Sequence, residues 1–398
     1  MPPIIGASAE RMDTTAATGK CECGAATGSG SIPGMDAILR AASDLLGGAL
    51  FDPVDLGGSA RSTVLRCRTA AGGSVIVKSY SNEPEGLRSF ASEAAGLSLQ
   101  LAGPELLGVD ADVPLLVMSD LGHASTLADV LLGDDPEAAR EGLLAWARGL
   151  GRLAAESVDR RADLARLWAH YDKGIPSWED EPWIEQNAAD LLMSLEQAEV
   201  AVLPGLAEEL AEIGRAVRKE YPAFTPGDTC PDNNLLTTDG LRLIDFEGAC
   251  FQSVFLTAAY CRMPFSTCWC VFRLPSGLAE EIEDAFRMEI VAAYPELTED
   301  AVWETGMRRA LAVWTVDVTV ALLSSALTED KPLHRTRRPV PTMRQLLQHR
   351  WEMASTVEEF PALARTMQLL LREVAGAWEV APLPGYPAFR DRGAGFGN

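Results

Sequence analysis

Between Phe224 and Glu247 the chain reads FTPGDTCPDNNLLTTDGLRLIDFE, a short stretch that carries Asp228, Asp232, Asn233, Asp245 and Glu247. Asp228 follows Gly227 in a loop, and Asn233 comes five residues later. The apolar runs Asn234–Leu236 and Leu241–Ile244 then flank TTDG, whose Asp-Gly ending is a strong hairpin signal. A tight hairpin returns its two ends to one place. Asn233 and Asp245 can therefore converge on one cation while Asp228 projects from the neighbouring loop. An amide oxygen and a carboxylate with room left for water and phosphate suit Mg2+, which rarely receives a complete cage from protein.

Phosphoryl transfer needs little covalent chemistry from the protein. It needs an oriented base for the acceptor hydroxyl, ligands for the metal and a cation on the nucleotide phosphates. The stretch supplies the first two. For the third, Lys78 ends the β-branched run SVIVK, and Glu93 lies in the next predicted helix, able to fix the lysine by an ion pair.

These residues need elements to hold them. Apolar periodicity predicts a helix over Met35–Leu46, strands over Val54–Leu56, Thr63–Cys67 and Ser74–Val77, and a helix over Glu85–Leu101. Gly72-Gly73 is the expected turn between the second and third runs. A buried strand follows at Leu115–Met118. From Ser125 the pattern is mostly helical: Ser125–Leu132, Pro136–Val158, Trp183–Ala198, Gly205–Glu220, Gly277–Tyr294, Ala301–Leu327, Met343–Ser355 and Pro361–Trp378. Residues 1–33, rich in Gly, Ala, Ser and Thr, read as a flexible leader. A small strand-rich part thus precedes a large helical one.

Composition narrows the function classes. Hydrophobic residues make up 47% of 398, the profile of a folded chain. The formal charge of −23 opposes a nucleic-acid footprint, since phosphate binding needs clustered Lys and Arg and only His334–Arg338 comes close; that run reads as a solvated loop. An acidic surface suits a cationic partner, and it is also a common route to solubility. No apolar run approaches a bilayer span, and the N-terminus lacks a signal-peptide pattern, so a soluble cytoplasmic protein is expected. The eight cysteines read as reduced, partly buried thiols; Cys21 and Cys23 have no second Cys or His pair to complete a zinc site.

A D-x-x-x-x-N pair, a strand lysine or a Gly-Gly turn each arises often by chance. Six such pieces in order, each in a suitable element, do not. LGGSARSTVLRC, VIVK, SEAAGL, PLLVMSDLG, PGDTCPDNNLL and LIDFEGA together resemble the aminoglycoside phosphotransferase and choline kinase branch of the protein-kinase-like fold. The resemblance covers residues 50–255 directly. It implies an α+β fold of two lobes, with a small β-rich N-lobe at 34–119 that binds nucleotide and a large, mostly helical C-lobe at 120–398. It implies that Asp228 is the catalytic base, that Asn233 and Asp245 hold Mg2+, and that Lys78, anchored by Glu93, meets the phosphates of ATP or GTP. Gly57, Gly58 and Ser59 would let backbone amides approach the phosphates, and the backbone near Met118–Asp120 would hold the purine. Pro226 departs from the pattern, because many relatives carry His there.

For the acceptor, GIPSWEDEPWIEQN sets Trp178 and Trp183 around Glu179, Asp180 and Glu181, which suits an amine-bearing or sugar-like molecule. A helix-start cap accounts for the same acids equally simply. Glu247 faces the same region, toward an acceptor cation or the metal. The expected activity is transfer of the γ-phosphate to a hydroxyl of a small molecule, with a cationic one favoured. The alternatives are a non-catalytic nucleotide-binding scaffold of the same fold and a protein kinase. Retention of Lys78, Asp228, Asn233 and Asp245 opposes the first, and the absence of an APE-like sequence after DFE opposes the second. Oligomeric state has no signature.

Overall fold

The computed structural model describes residues 34–390 apart from positions 60, 219 and 266; the expected leader, with Cys21 and Cys23, lies outside the described residues. Helix α1 (Met35–Leu46) leads into β1 (Leu50–Ser59), β2 (Ser62–Thr69) and β3 (Ser74–Tyr80), followed by α2 (Pro84–Ser98), β4 (Leu106–Asp110) and β5 (Leu115–Ser119). The strands form one antiparallel sheet in the order β1-β2-β3-β5-β4. Side chains alternate across a strand, and β3 uses both faces. Val75 and Val77 close a small core with Ile38 and Ala42 of α1 and with Leu65, Leu115 and Val117. Ile76 and Tyr80 belong to the opposite face, packed in the larger core that includes Phe90 and Leu97 of α2. Lys78 shares that second face, which is why it can meet α2.

Two small sheets open the helical lobe. β6 (Ser125–Thr126) pairs with β8 (Asn234–Thr237), which pairs with β9 (Gly240–Leu243), while β7 (Pro222–Thr225) pairs with β10 (Cys250–Ser253). The helices are α3 (Leu127–Leu131), α4 (Pro136–Ser157), α5 (Arg161–Tyr171), α6 (Trp183–Gln197), α7 (Leu206–Val217), α8 (Val254–Ala258), α9 (Leu278–Ile290), α10 (Asp300–Thr328), α11 (Met343–Ala354) and α12 (Pro361–Leu369). Helix α10 is the axis of the lobe, in contact with α6, α7, α8 and α11.

Four expectations need correction. Ser125–Leu132 is not one helix: Ser125–Thr126 joins β8 as a strand, and Thr126 then caps α3 by accepting from the Asp129 N–H while Asp129 accepts from the Thr126 N–H. The helix expected to Trp378 leaves regular geometry after Leu369, widening into a π turn at Leu370–Val374. Helix α5 is an addition, weakly amphipathic and with only Leu164 buried, so its sequence shows little periodicity. Finally, α10 is long and apolar enough to cross a membrane by length and composition; 61% of its apolar window is buried inside the lobe.

Candidate active site

Lys78 Nζ lies 2.6 Å from Glu93 Oε2, 2.7 Å from Asp245 Oδ1 and 3.7 Å from Glu247 Oε2, so one buried ammonium gathers three carboxylates from two lobes. Tyr80, next on the same strand face, donates its hydroxyl to Glu93 Oε2. Burial alone would lower the lysine pKa, but Asp245 and Glu93 outweigh it and hold the group well above its ordinary value. Burial is also the largest influence on Glu93 and raises its carboxyl despite Lys78. The expected anchor is therefore in place, with Tyr80 as a second clamp that the sequence reading missed. Its signal was available: Lys78 and Tyr80 are two apart on one strand.

The hairpin closes as its turn chemistry requires. Asn234 stands opposite Leu243, and the Ile244 N–H donates to the Asn233 carbonyl at 3.0 Å, so Asn233 and Asp245 flank the same end. Asp245 sits at φ +68, a left-handed conformation that Asp and Asn tolerate best among residues with a Cβ. Hard oxygen donors at that end fit a small divalent cation.

Asp228 is 6% exposed. Its Oδ1 accepts from the Cys230 N–H at 2.9 Å, whereas the buried Oδ2 has no hydrogen-bond partner among the described residues. Burial, followed by the charge of Asp245, pushes its carboxyl up to about 8. The sign for stability follows. The ordinary value is 3.8, so the folded chain binds the proton more tightly than the unfolded one. Stability from this group is complete below about pH 4 and is lost as pH rises towards about 8. In chelator and without nucleotide, Asp228→Asn should raise the melting temperature more at about pH 8.5 than at about pH 5.5; thermal melts at both values check this, and an equal change at both would contradict it.

With Pro226 ahead of Gly227 and Asp228, the loop that carries Asp228 is braced by other contacts. β7 and β10 bring Gly227 and Gly248 together, so that a Cβ added at Gly227, where φ is +95, would meet the Gly248 Cα at 2.4 Å. Asn234 donates Nδ2 to the carbonyls of Thr229 and Cys230, at 3.1 and 2.5 Å, from a fully buried position. Gly227→Ala should cost about 1–3 kcal/mol from backbone strain alone, with further loss from the overlap, and denaturant unfolding measures it. Asn234 was legible only as the second half of an Asn-Asn pair.

Cys230 forms a disulfide with Cys268, which corrects the expectation that all the cysteines are reduced; Cys67, Cys250, Cys261 and Cys270 are free and buried. Beside it, Trp269 Nε1 donates to Asp232 Oδ2 at 3.0 Å, and Arg337 stacks on the Trp269 ring 3.4 Å from the same carboxylate oxygen. Part of the His334–Arg338 run thus folds back against the loop that holds Asp228 and Asp232 instead of lying wholly in solvent. Asp232 serves that packing.

The residues expected to face a nucleotide divide by environment. Gly57 and Gly58 are exposed on β1, where the Gly57 N–H meets Asp55 Oδ1 at 2.8 Å, and Ser59 closes the strand. Met118 is buried near the end of β5. The Asp120 carboxylate accepts from Ser74 at 2.7 Å and from the Gly122 N–H, and it pairs with Arg66 at 2.8 Å. Burial would raise its pKa, but these donors outweigh burial and hold it below the ordinary value. Its side chain therefore ties the segment after β5 to the sheet.

The candidate acceptor residues do not form one surface. Trp183 is buried and stacks on Trp314 within the helical core, ring centres 5.5 Å apart. Glu179 pairs with Arg161, Glu181 with Arg88 at 3.0 Å, and Asp180 accepts from Ser177 at 2.7 Å. Trp178 lies under the Arg88 guanidinium and donates Nε1 to the Glu247 carbonyl at 2.8 Å. It positions the DFE segment from behind. Glu247 does face the site, and burial followed by Asp245 pushes its carboxyl up to about 7.

Comparison with curated proteins finds no match. Among solved structures, a macrolide 2'-phosphotransferase from Brachybacterium faecium is similar at 16% identity, over 73% of this chain and 94% of that one, with a TM-score of 0.44. An ethanolamine kinase from Plasmodium vivax is similar at 12% identity over 81% of each chain, with a TM-score of 0.45. An amicoumacin kinase is similar at 14% identity over 82% of this chain and 95% of that one, with a TM-score of 0.46. Residues 54–266, more than half of the chain and the whole span holding Lys78, Glu93, Asp228, Asn233, Asp245 and Glu247, match the phosphotransferase enzyme family, and the chain belongs to that family.

Proposed function

We propose that the chain is a small-molecule kinase that moves the γ-phosphate of ATP or GTP to a hydroxyl of a cationic acceptor of the aminoglycoside or amino-alcohol kind. The observation that carries this is the Asp228 carboxyl: buried, with one oxygen unpartnered among the described residues, in a lobe whose Asp245 also reaches Lys78. An acceptor hydroxyl donating to Oδ2 would satisfy that oxygen and be oriented by it. A carboxyl raised to about 8 in the free protein suits a base working near neutral pH. In a loose transition state the proton moves late, so orienting the hydroxyl is the larger part of the role.

Lys78, held by Glu93 and Tyr80, would neutralise phosphate charge without having to be ordered at the moment of reaction. Asn233 and Asp245 would hold Mg2+, which when bound supplies charge neutralisation on the phosphates. The formal charge of −23 supports a cationic acceptor, because a negative surface concentrates cations near it.

A panel of aminoglycosides, amino alcohols, neutral sugars and proteins, incubated with Mg2+ and γ-labelled ATP or GTP, tests this. Label should appear on hydroxylated amines. Preferential labelling of neutral sugars would overturn the cationic assignment, and labelling of proteins would overturn the small-molecule one.

A further inference from the structure

The turn between β1 and β2 reaches across to the other lobe. Arg61 Nη2 lies 2.8 Å from Glu247 Oε1, a carboxylate 186 residues further on, and the two side chains are 24% and 6% exposed. The backbone of Arg61 is fixed, since its N–H donates to Ser59 Oγ at 3.1 Å and its carbonyl accepts from the Ser81 N–H at 2.7 Å. Arg61 thus stands just past β1, the strand that carries Gly57, Gly58 and Ser59. Lys78 approaches the other oxygen of Glu247 at 3.7 Å. Glu93, Asp245 and Glu247 therefore hold two cations between them, one from the lysine strand and one from the turn.

Lys78 has an anchor that can stay with it when phosphate arrives, namely Glu93. Arg61 has no such second carboxylate: Glu247 is its only ion-pair partner among the described residues. A guanidinium fork matches a phosphate as well as it matches a carboxylate, and phosphate carries more charge. If Arg61 leaves, Glu247 retains Lys78 beside it.

We propose that Arg61 is a second phosphate-binding cation of this site, stored on Glu247 in the nucleotide-free protein and passed to the terminal phosphate of the donor when nucleotide binds. This rests on the kinase reading above. A plain ion pair tying the turn to the helical lobe is the competing description, and it makes a different prediction. A tie supports every nucleotide equally, whereas a contact with the terminal phosphate favours triphosphate over diphosphate.

The test measures dissociation constants for the Mg2+ complexes of non-hydrolysable triphosphate analogues and of diphosphates, with adenine and with guanine, on the wild-type chain and on Arg61→Ala and Arg61→Lys. Wild type should prefer the triphosphate, and Arg61→Ala should narrow that preference by about 10- to 100-fold, the scale of a hydrogen bond between charged groups. Arg61→Lys, which keeps the charge but not the fork, should recover part of it. A preference unchanged in Arg61→Ala, or an equal loss of triphosphate and diphosphate binding, overturns the role of Arg61 alone. Failure of the wild-type chain to bind either nucleotide overturns the kinase reading as well.

Discussion

Asp228→Asn should remove transfer while leaving binding of the Mg-nucleotide complex essentially unchanged. Asparagine has nearly the shape of aspartate and can still accept the Cys230 N–H through its carbonyl oxygen, so the loop should keep its form. What disappears is the carboxylate that accepts the acceptor hydroxyl. A base of this kind is worth about 100- to 10,000-fold in rate, and the whole loss should fall on kcat. Steady-state kinetics with a responsive acceptor, paired with calorimetric titration of a non-hydrolysable nucleotide, separates the two quantities. Loss of nucleotide binding in proportion to the rate would mean that Asp228 holds the donor instead of the acceptor.

Asp245→Asn should produce the opposite pattern. Its φ of +68 suits asparagine, so the backbone is not the target. The substitution removes a charge from the proposed metal site and weakens the pairing with Lys78 across 2.7 Å. Affinity for nucleotide in the presence of Mg2+ should fall by about 10-fold or more, because charged hydrogen bonds and metal ligands both depend on that carboxylate. Affinity measured in chelator should change much less. A loss of equal size with and without the metal would assign Asp245 to Lys78 alone.

Local patterns carried much of this arrangement. The β-branched run SVIVK put Lys78 at the end of a strand, the Asp-Gly turn put Asn233 beside Asp245, and the α1 periodicity gave Met35–Leu46 its bounds. These features were legible because each depends on neighbours a few residues away. The pairings that were not legible join distant segments: Arg61 to Glu247, Cys230 to Cys268, and Arg337 to Asp232. No spacing in the chain announces them. The segment Gly174–Asn187 shows the same limit from the other side. Its acids form a conspicuous cluster in sequence, yet Arg88 and Arg161 come from other helices to neutralise Glu181 and Glu179, and Trp183 turns inward to Trp314. Burial and partners, which decide a side chain's role, are properties of the fold.

Pro226 also became clear only in three dimensions. Two glycines in backbone contact and the buried Asn234 amide hold the loop that carries Asp228.

The most direct measurement is label transfer from γ-labelled ATP or GTP to the acceptor panel by the wild-type chain, by the same chain in chelator and by Asp228→Asn. Labelled product with Mg2+, none in chelator, and about 100- to 10,000-fold slower labelling by Asp228→Asn, is the expected result. Tight Mg-nucleotide binding with no labelled product from any acceptor, or transfer by Asp228→Asn at the wild-type rate, would contradict a kinase built on this carboxylate.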